Sequence, residues 1–249
     1  MTNELFPAPD APVISLRPIS FTATSIDGIR KQLKTQTRRT MYPQPAGVRP
    51  VQDSTRPLQW LGEGGQHWRC PYGVPGDELW VREVWARVEP YPQILQKYDL
   101  PIAWRVEKNP VALEYWRKRV IFYSDFPGKM PEECGRGATD NKWRSPGTMP
   151  RWAARPRLKV TGVWPEQVQE ISEAGALAEG IQRQLLPDLN GNRYHWGDPS
   201  KDRYKTAVAA YAALWDSING KKNPWAANLW VWRITFEQQP TANSWQLTV

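Results

Sequence analysis

Histidine and cysteine are almost missing from this chain, with two of each in 249 residues. Cys70 and Cys134 stand far apart and no CxxC occurs, which excludes a disulfide framework and the usual spacing of a zinc site. His67 beside Cys70 is at best half such a site, and His195 is the only other histidine, so neither a metal nor histidine-based catalysis is expected. No cofactor is implied. Long apolar runs are absent too: nothing approaches the ~20 residues that cross a bilayer. The opening residues Met1-Thr2-Asn3-Glu4-Leu5-Phe6-Pro7 lack the basic and apolar stretches of a signal peptide, so the expectation is a cytoplasmic protein without membrane contact.

Acidic residues are in the minority, 25 against 33 Lys and Arg, for a net charge of +8. That surplus favours anionic partners, either a nucleoside or nucleotide or single-stranded nucleic acid, although a solvated basic surface would look the same. Tryptophan is what the chain has in excess, 15 residues, which supply core volume and also flat faces on which bases stack.

Along the chain, residues 1–12 read as a flexible lead-in and residues 13–238 as one domain. An insertion is expected at about 86–150, and a loose tail at 239–249. Strands are expected at Val13–Arg17, at 78–85, at Val120–Tyr123, at Arg157–Trp164 and at Leu229–Phe236. Helices are expected after Asp27, around Val111–Lys118, from Ser172 to Glu179 closed by Gly180, and from Asp202 to Asn219. In the last, Tyr204, Val208, Tyr211, Trp215 and Ile218 form a core-facing stripe. The stretch from Tyr42 to Gln66 is rich in Pro, Gly and polar residues and reads as a long loop. Strands broken by helices and long loops, without regular βαβ units, give an α+β fold around a small mixed sheet or barrel.

Glu83 is the residue that sequence pattern alone marks as out of place. Strand alternation puts Leu79, Val81, Glu83 and Trp85 on one side of the segment 78–85, so a carboxylate sits on an apolar face. A buried carboxylate needs a cation, and Lys34 in Lys34-Thr35-Gln36-Thr37-Arg38-Arg39 is the expected partner. A helix after Asp27 would set Arg30, Lys34 and Thr37 on one stripe at i, i+4 and i+7. A lysine next to a threonine, with a carboxylate in reach, can run a hydrolase without histidine: the threonine attacks, the lysine takes its proton and the carboxylate protonates the leaving amine. A structural ion bridge between Lys34 and Glu83 fits the same pattern.

Four motifs in order resemble the ASCH-domain proteins of phages and prophages. They are Leu33-Lys34-Thr35-Gln36-Thr37-Arg38-Arg39; Arg69-Cys70-Pro71-Tyr72-Gly73 leading through Pro75-Gly76-Asp77 to Arg82-Glu83; Lys142-Trp143-Arg144-Ser145-Pro146 with Met149-Pro150-Arg151-Trp152-Ala153; and Leu214-Trp215-Asp216-Ser217-Ile218-Asn219 followed by Trp230-Val231-Trp232. The resemblance implies a PUA-like fold, a small mixed β-barrel flanked by helices, here with a large insertion. It implies a protein of the bacterial cytoplasm, phage or prophage encoded. One compact branch of that family is similar in a Lys-x-x-Thr pair and a later Glu, and removes the acetyl group from N(4)-acetylcytidine. By that likeness Lys34 is the base, Thr37 the nucleophile and Glu83 the acid. Substrate-binding candidates are Arg38, Arg39, Arg82, Arg144 and Arg151 for phosphates, and Trp143 and Trp152 for base stacking. A non-catalytic reader of RNA or of a modified base is the alternative, and a nuclease is a third that lacks a metal-carboxylate cluster.

Overall fold

The computed structural model describes residues 14–50, 60–87, 120–125, 143–186, 191–196 and 203–239. The expected lead-in, the expected helix at Val111–Lys118 and residues 240–249 of the tail lie outside them. In chain order the elements are β1 (Leu16–Ser20), α1 (Ala23–Arg30), β2 (Gln36–Thr40), β3 (Val48–Pro50), β4 (Trp60–Gly62), β5 (His67–Trp68), β6 (Glu78–Arg82), β7 (Trp85–Arg87) and β8 (Val120–Phe122). They continue with β9 (Arg157–Gln167), α2 (Glu173–Ala178), β10 (Gln182–Leu186), β11 (Gly191–His195), α3 (Ala207–Asn219) and β12 (Trp230–Gln238). The fold is α+β and dominated by sheet, as expected.

A five-stranded sheet in the order β1-β6-β9-β12-β2 organises the rest. Its first pair is parallel and the other three pairs are antiparallel. Among the described residues no ladder joins β1 to β2, so the sheet is not a closed barrel. Its two edges nevertheless approach each other: the Arg39 guanidinium on β2 reaches across to the Ser20 carbonyl of β1 at 2.6 Å. Strand parity explains the core. Leu79 and Val81 of β6, Leu158 and Val160 of β9 and Ile234 of β12 are buried on one face, while Arg157, Lys159 and Thr161 alternate outward. A second cluster joins Trp85, Val120, Phe122, Met149 and Trp152, and a third packs α2 and α3 against Val231.

The segment after β1 departs from its sequence reading. The helix begins at Thr22, whose hydroxyl accepts the Ser25 amide hydrogen, and it stops at Lys31 because Gln32 takes a left-handed turn with φ 57°. Lys34 and Thr37 are therefore not on a helix. The β-branched Thr35, Thr37 and Thr40 favour an extended chain, and β2 pairs with β12 in a register that sets Thr37 opposite Ile234. The expected loop at 42–66 contains β3 and β4, which with β5 form a small sheet. Thr206 caps α3, and Glu173 accepts from the Ala207 and Val208 amides, so this helix starts later than its apolar stripe suggests. Ile218 of that stripe is 53% exposed, and its position matters for the site described next.

Cys70 sits in the main core, where burial pushes its thiol up to about 12. A neutral thiol is a poor nucleophile. Iodoacetamide at pH ~8, near the free-thiol pKa, is expected to spare Cys70 in the folded protein and to label it fully in urea, as read by peptide mass mapping.

Candidate functional site

The loop between α1 and β2 is fixed by its backbone before any side chain is considered. Lys34 N donates to Gly28 O at 3.1 Å, and Thr35 N to Ala178 O at 2.9 Å, which draws the end of α2 against this loop. Glu179 follows α2 directly and forms an isolated bridge with Lys34. Gly180 then turns with φ 99°, a left-handed conformation suited to glycine, and a Cβ there would lie 3.4 Å from the Lys34 Cβ. Helix end, turn and strand start are thus in contact for backbone reasons, and they carry Glu179, Lys34 and Thr37.

Lys34 and Glu179 are 5% exposed each. Lys34 Nζ donates to Glu179 Oε2 at 2.5 Å and to the Glu179 carbonyl at 2.7 Å. Arg38 Nη1 approaches Glu179 Oε1 at 3.2 Å, while its Nε donates to Glu166 Oε1 at 2.7 Å. The Tyr211 hydroxyl on α3 donates to Glu179 Oε1 at 3.4 Å. Burial lowers the Lys34 pKa, and Glu179 only partly opposes this. Burial raises that of Tyr211, so the phenol stays a hydrogen-bond donor. The Thr37 hydroxyl has no hydrogen-bond partner among the described residues.

These groups line a cleft that opens to solvent. Ser20, Phe21 and Thr22 come from the β1 edge, Thr37 to Thr40 from the β2 edge, and Tyr211, Leu214, Trp215 and Ile218 from α3. An adjoining cleft shares Lys34, Glu179, Thr22, Ser25, Leu214 and Ile218, and adds Gly28, Gly180 and Trp196. The Trp196 indole nitrogen is buried without a partner. The exposed Ile218 is the apolar wall that both share. The space lies at the seam between the two sheet edges, roofed by α3.

Glu83 does point inward, 1% exposed, as strand parity requires. Its partner, however, is not Lys34. Arg155 Nη2 donates to Glu83 Oε1 at 3.0 Å, and the Ser124 hydroxyl donates to Glu83 Oε2. Arg155 Nη1 continues to Asp125 Oδ2 at 2.6 Å, and Asp125 Oδ1 accepts from Arg30 of α1 at 2.8 Å. The expected triad of Lys34, Thr37 and Glu83 is corrected accordingly: the carboxylate facing Lys34 is Glu179, and Glu83 lines neither cleft. The reason is that each charge is taken by a nearer partner, Glu83 by Arg155 and Ser124 and Lys34 by Glu179.

Of the expected binding residues, Arg38 and Arg39 line the cleft. The others line neither cleft. Arg82 lies over the Trp80 ring at 5.7 Å, and Arg144 forms a bridge with Trp85. Trp143 packs edge-on against Tyr123, Trp152 belongs to the second core cluster, and Arg151 is exposed. Among the described residues there is no group of three His, Cys, Asp or Glu able to hold a metal. Glu179, Tyr211 and Trp196 escaped the sequence reading. Glu179 carried one usable signal, a carboxylate immediately before the glycine that ends a helix. Comparison with protein-family models, with curated proteins and with solved structures returns no match.

Proposed function

We propose that the cleft is the active site of a metal-independent amidohydrolase that removes an acyl group from a modified pyrimidine nucleoside or nucleotide of the N(4)-acetylcytidine type. The observation that carries this reading is an unengaged Thr37 hydroxyl in the same cavity wall as a buried Lys34–Glu179 pair. A non-catalytic pocket has no need of a hydroxyl nucleophile in the same wall as a base of lowered pKa. The ASCH-like motif around Lys34 and Thr37 supports this reading and implies a PUA-like fold, and Glu179 takes the place of Glu83 as the carboxylate beside the base.

In the reaction, neutral Lys34 accepts the Thr37 proton as the hydroxyl oxygen attacks the amide carbonyl. The tetrahedral adduct collapses when Lys34, held by Glu179, returns the proton it took from Thr37 to the leaving amine. Water then attacks the threonine ester, returning the hydroxyl and releasing the carboxylic acid. Tyr211 and Arg38 hold the Glu179 carboxylate in place, and the apolar wall at Leu214 and Ile218 suits the flat base or the acyl methyl.

Because the reactive form of Lys34 is neutral, activity should be low where Lys34 is protonated and rise with pH. Burial moves that rise below the ordinary lysine range. A kcat/KM profile that climbs and levels off before the free-lysine pKa of ~10.4 fits; a profile flat in pH sinks Lys34 as the base. The reading as a whole is tested by incubating the protein with a panel of N(4)-acylated cytidines and following cytidine release by chromatography. Inactivity across the panel, with oligonucleotide binding that survives Lys34→Ala, makes the protein a reader instead.

A further inference from the structure

The cleft carries a charge that the hydrolytic chemistry leaves unused. Of its three cations, Lys34 is matched by Glu179, and Arg38 by Glu179 and Glu166. Arg39 has no carboxylate partner among the described residues. Its Nη2 meets only the Ser20 carbonyl, and its Nε is buried with no hydrogen-bond partner. The guanidinium lies over the Phe21 ring at 4.9 Å, and burial lowers its pKa. A partly buried cation that feels the nearby Glu179 charge but has no carboxylate in contact is a costly arrangement that an added anion relieves. Ser25 and Thr40 hydroxyls line the same cavity, and the start of α1 at Thr22 adds its partial positive charge.

Spacing supplies the second half of the argument. Thr37 and Arg39 are two residues apart on β2, so they stand about 7 Å apart along the strand. The long Arg39 side chain adds to that spacing, so that pyrimidine and sugar together fit between the reacting group at Thr37 and a phosphate at the guanidinium. We infer that Arg39, with Ser25 and Thr40 in the same wall, forms an anion subsite for the phosphate of a nucleotide whose base lies between Thr37 and Arg39. The ligand is then a phosphate ester and not a bare nucleoside. The position of the reacting group rests on the hydrolase reading, whereas the phosphate preference stands on Arg39 alone.

Binding measured with molecules that the enzyme would not turn over separates the two. Calorimetric titration of the full chain with cytidine and cytidine 5′-monophosphate, and with adenosine and adenosine 5′-monophosphate, should show the phosphorylated member of each pair bound about tenfold or more tightly, the advantage falling with added salt. Arg39→Gln should bring each ratio towards one, and Arg39→Lys, which keeps the charge, should recover much of it. A short oligocytidylate that outcompetes the mononucleotide assigns the phosphate to a polymer backbone; the reverse assigns it to a free nucleotide. Equal affinity for the two members of both pairs, including none measurable, overturns the inference. So does a preference that survives Arg39→Gln in a variant with the native circular dichroism spectrum. If Arg39→Gln does not fold, Arg39→Lys and the salt dependence of the wild-type ratio decide. Loss of hydrolysis without loss of the phosphate preference would count against the hydrolase reading only.

Discussion

Glu179→Gln is expected to lower kcat by about 10²-fold or more, the usual contribution of a positioned acid or base. Stability should fall with it. Lys34 and Arg38 both meet this carboxylate, and Lys34 is 5% exposed, so removing Glu179 leaves an ammonium with little water around it. Breaking a buried pair from one side typically costs ~3–5 kcal/mol. Here the loss is limited because Lys34 can shed its proton and Arg38 keeps Glu166. Urea unfolding of Glu179→Ala, Lys34→Met and the double variant separates the contributions. The double variant should recover most of the stability lost by Glu179→Ala, since replacing both members of a buried pair by apolar groups is often neutral. A double variant as unstable as the sum of its parts would contradict the pairing.

Glu83→Ala should produce the opposite profile, a large loss of stability with little loss of chemistry. Glu83 is fully enclosed, and its removal takes one of two carboxylates from Arg155, itself only 22% exposed, and the acceptor from the Ser124 hydroxyl. The expected cost is the ~3–5 kcal/mol of breaking a buried pair from one side, reduced because Arg155 keeps Asp125, and it is seen as a lower urea midpoint with the slope preserved. Activity per folded molecule should stay within a few-fold of wild type, because Glu83 lines neither cleft. If instead Glu83→Gln loses activity as severely as Glu179→Gln while remaining folded, the site is built around the wrong carboxylate.

How far the sequence could be read divides along the range of the forces involved. Strand parity is local, and it placed Glu83 inside the protein. In β9 alternation holds for the outward Arg157 and Lys159 and the inward Leu158 and Val160, but it would also bury Trp164, which is 38% exposed because the register shifts at a bulge opposite Thr235 and Phe236. Helix ends marked by a glycine are local as well, and Gly180 stops α2 where expected. The error at Lys34 and Thr37 came from spacing that fits a helix, overridden by the left-handed turn at Gln32 and by pairing of β2 with β12. The identity of Glu83's partner was out of reach for a different reason. Arg155 and Ser124 lie 72 and 41 residues away in sequence, and no periodicity connects them. Glu179 meets Lys34 across 145 residues for the same kind of reason.

The ladder from Arg30 through Asp125 and Arg155 to Glu83 ties α1, a surface turn and the sheet into one electrostatic unit. The turn at residues 123–125, which sits within the expected insertion, supplies the hydroxyl and one carboxylate that make Glu83 tolerable in the core. Without that turn the Glu83–Arg155 pair would keep only each other. A substitution at Ser124 or Asp125 is therefore felt at both ends, by the Arg30 guanidinium on the helix and by the carboxylate in the core.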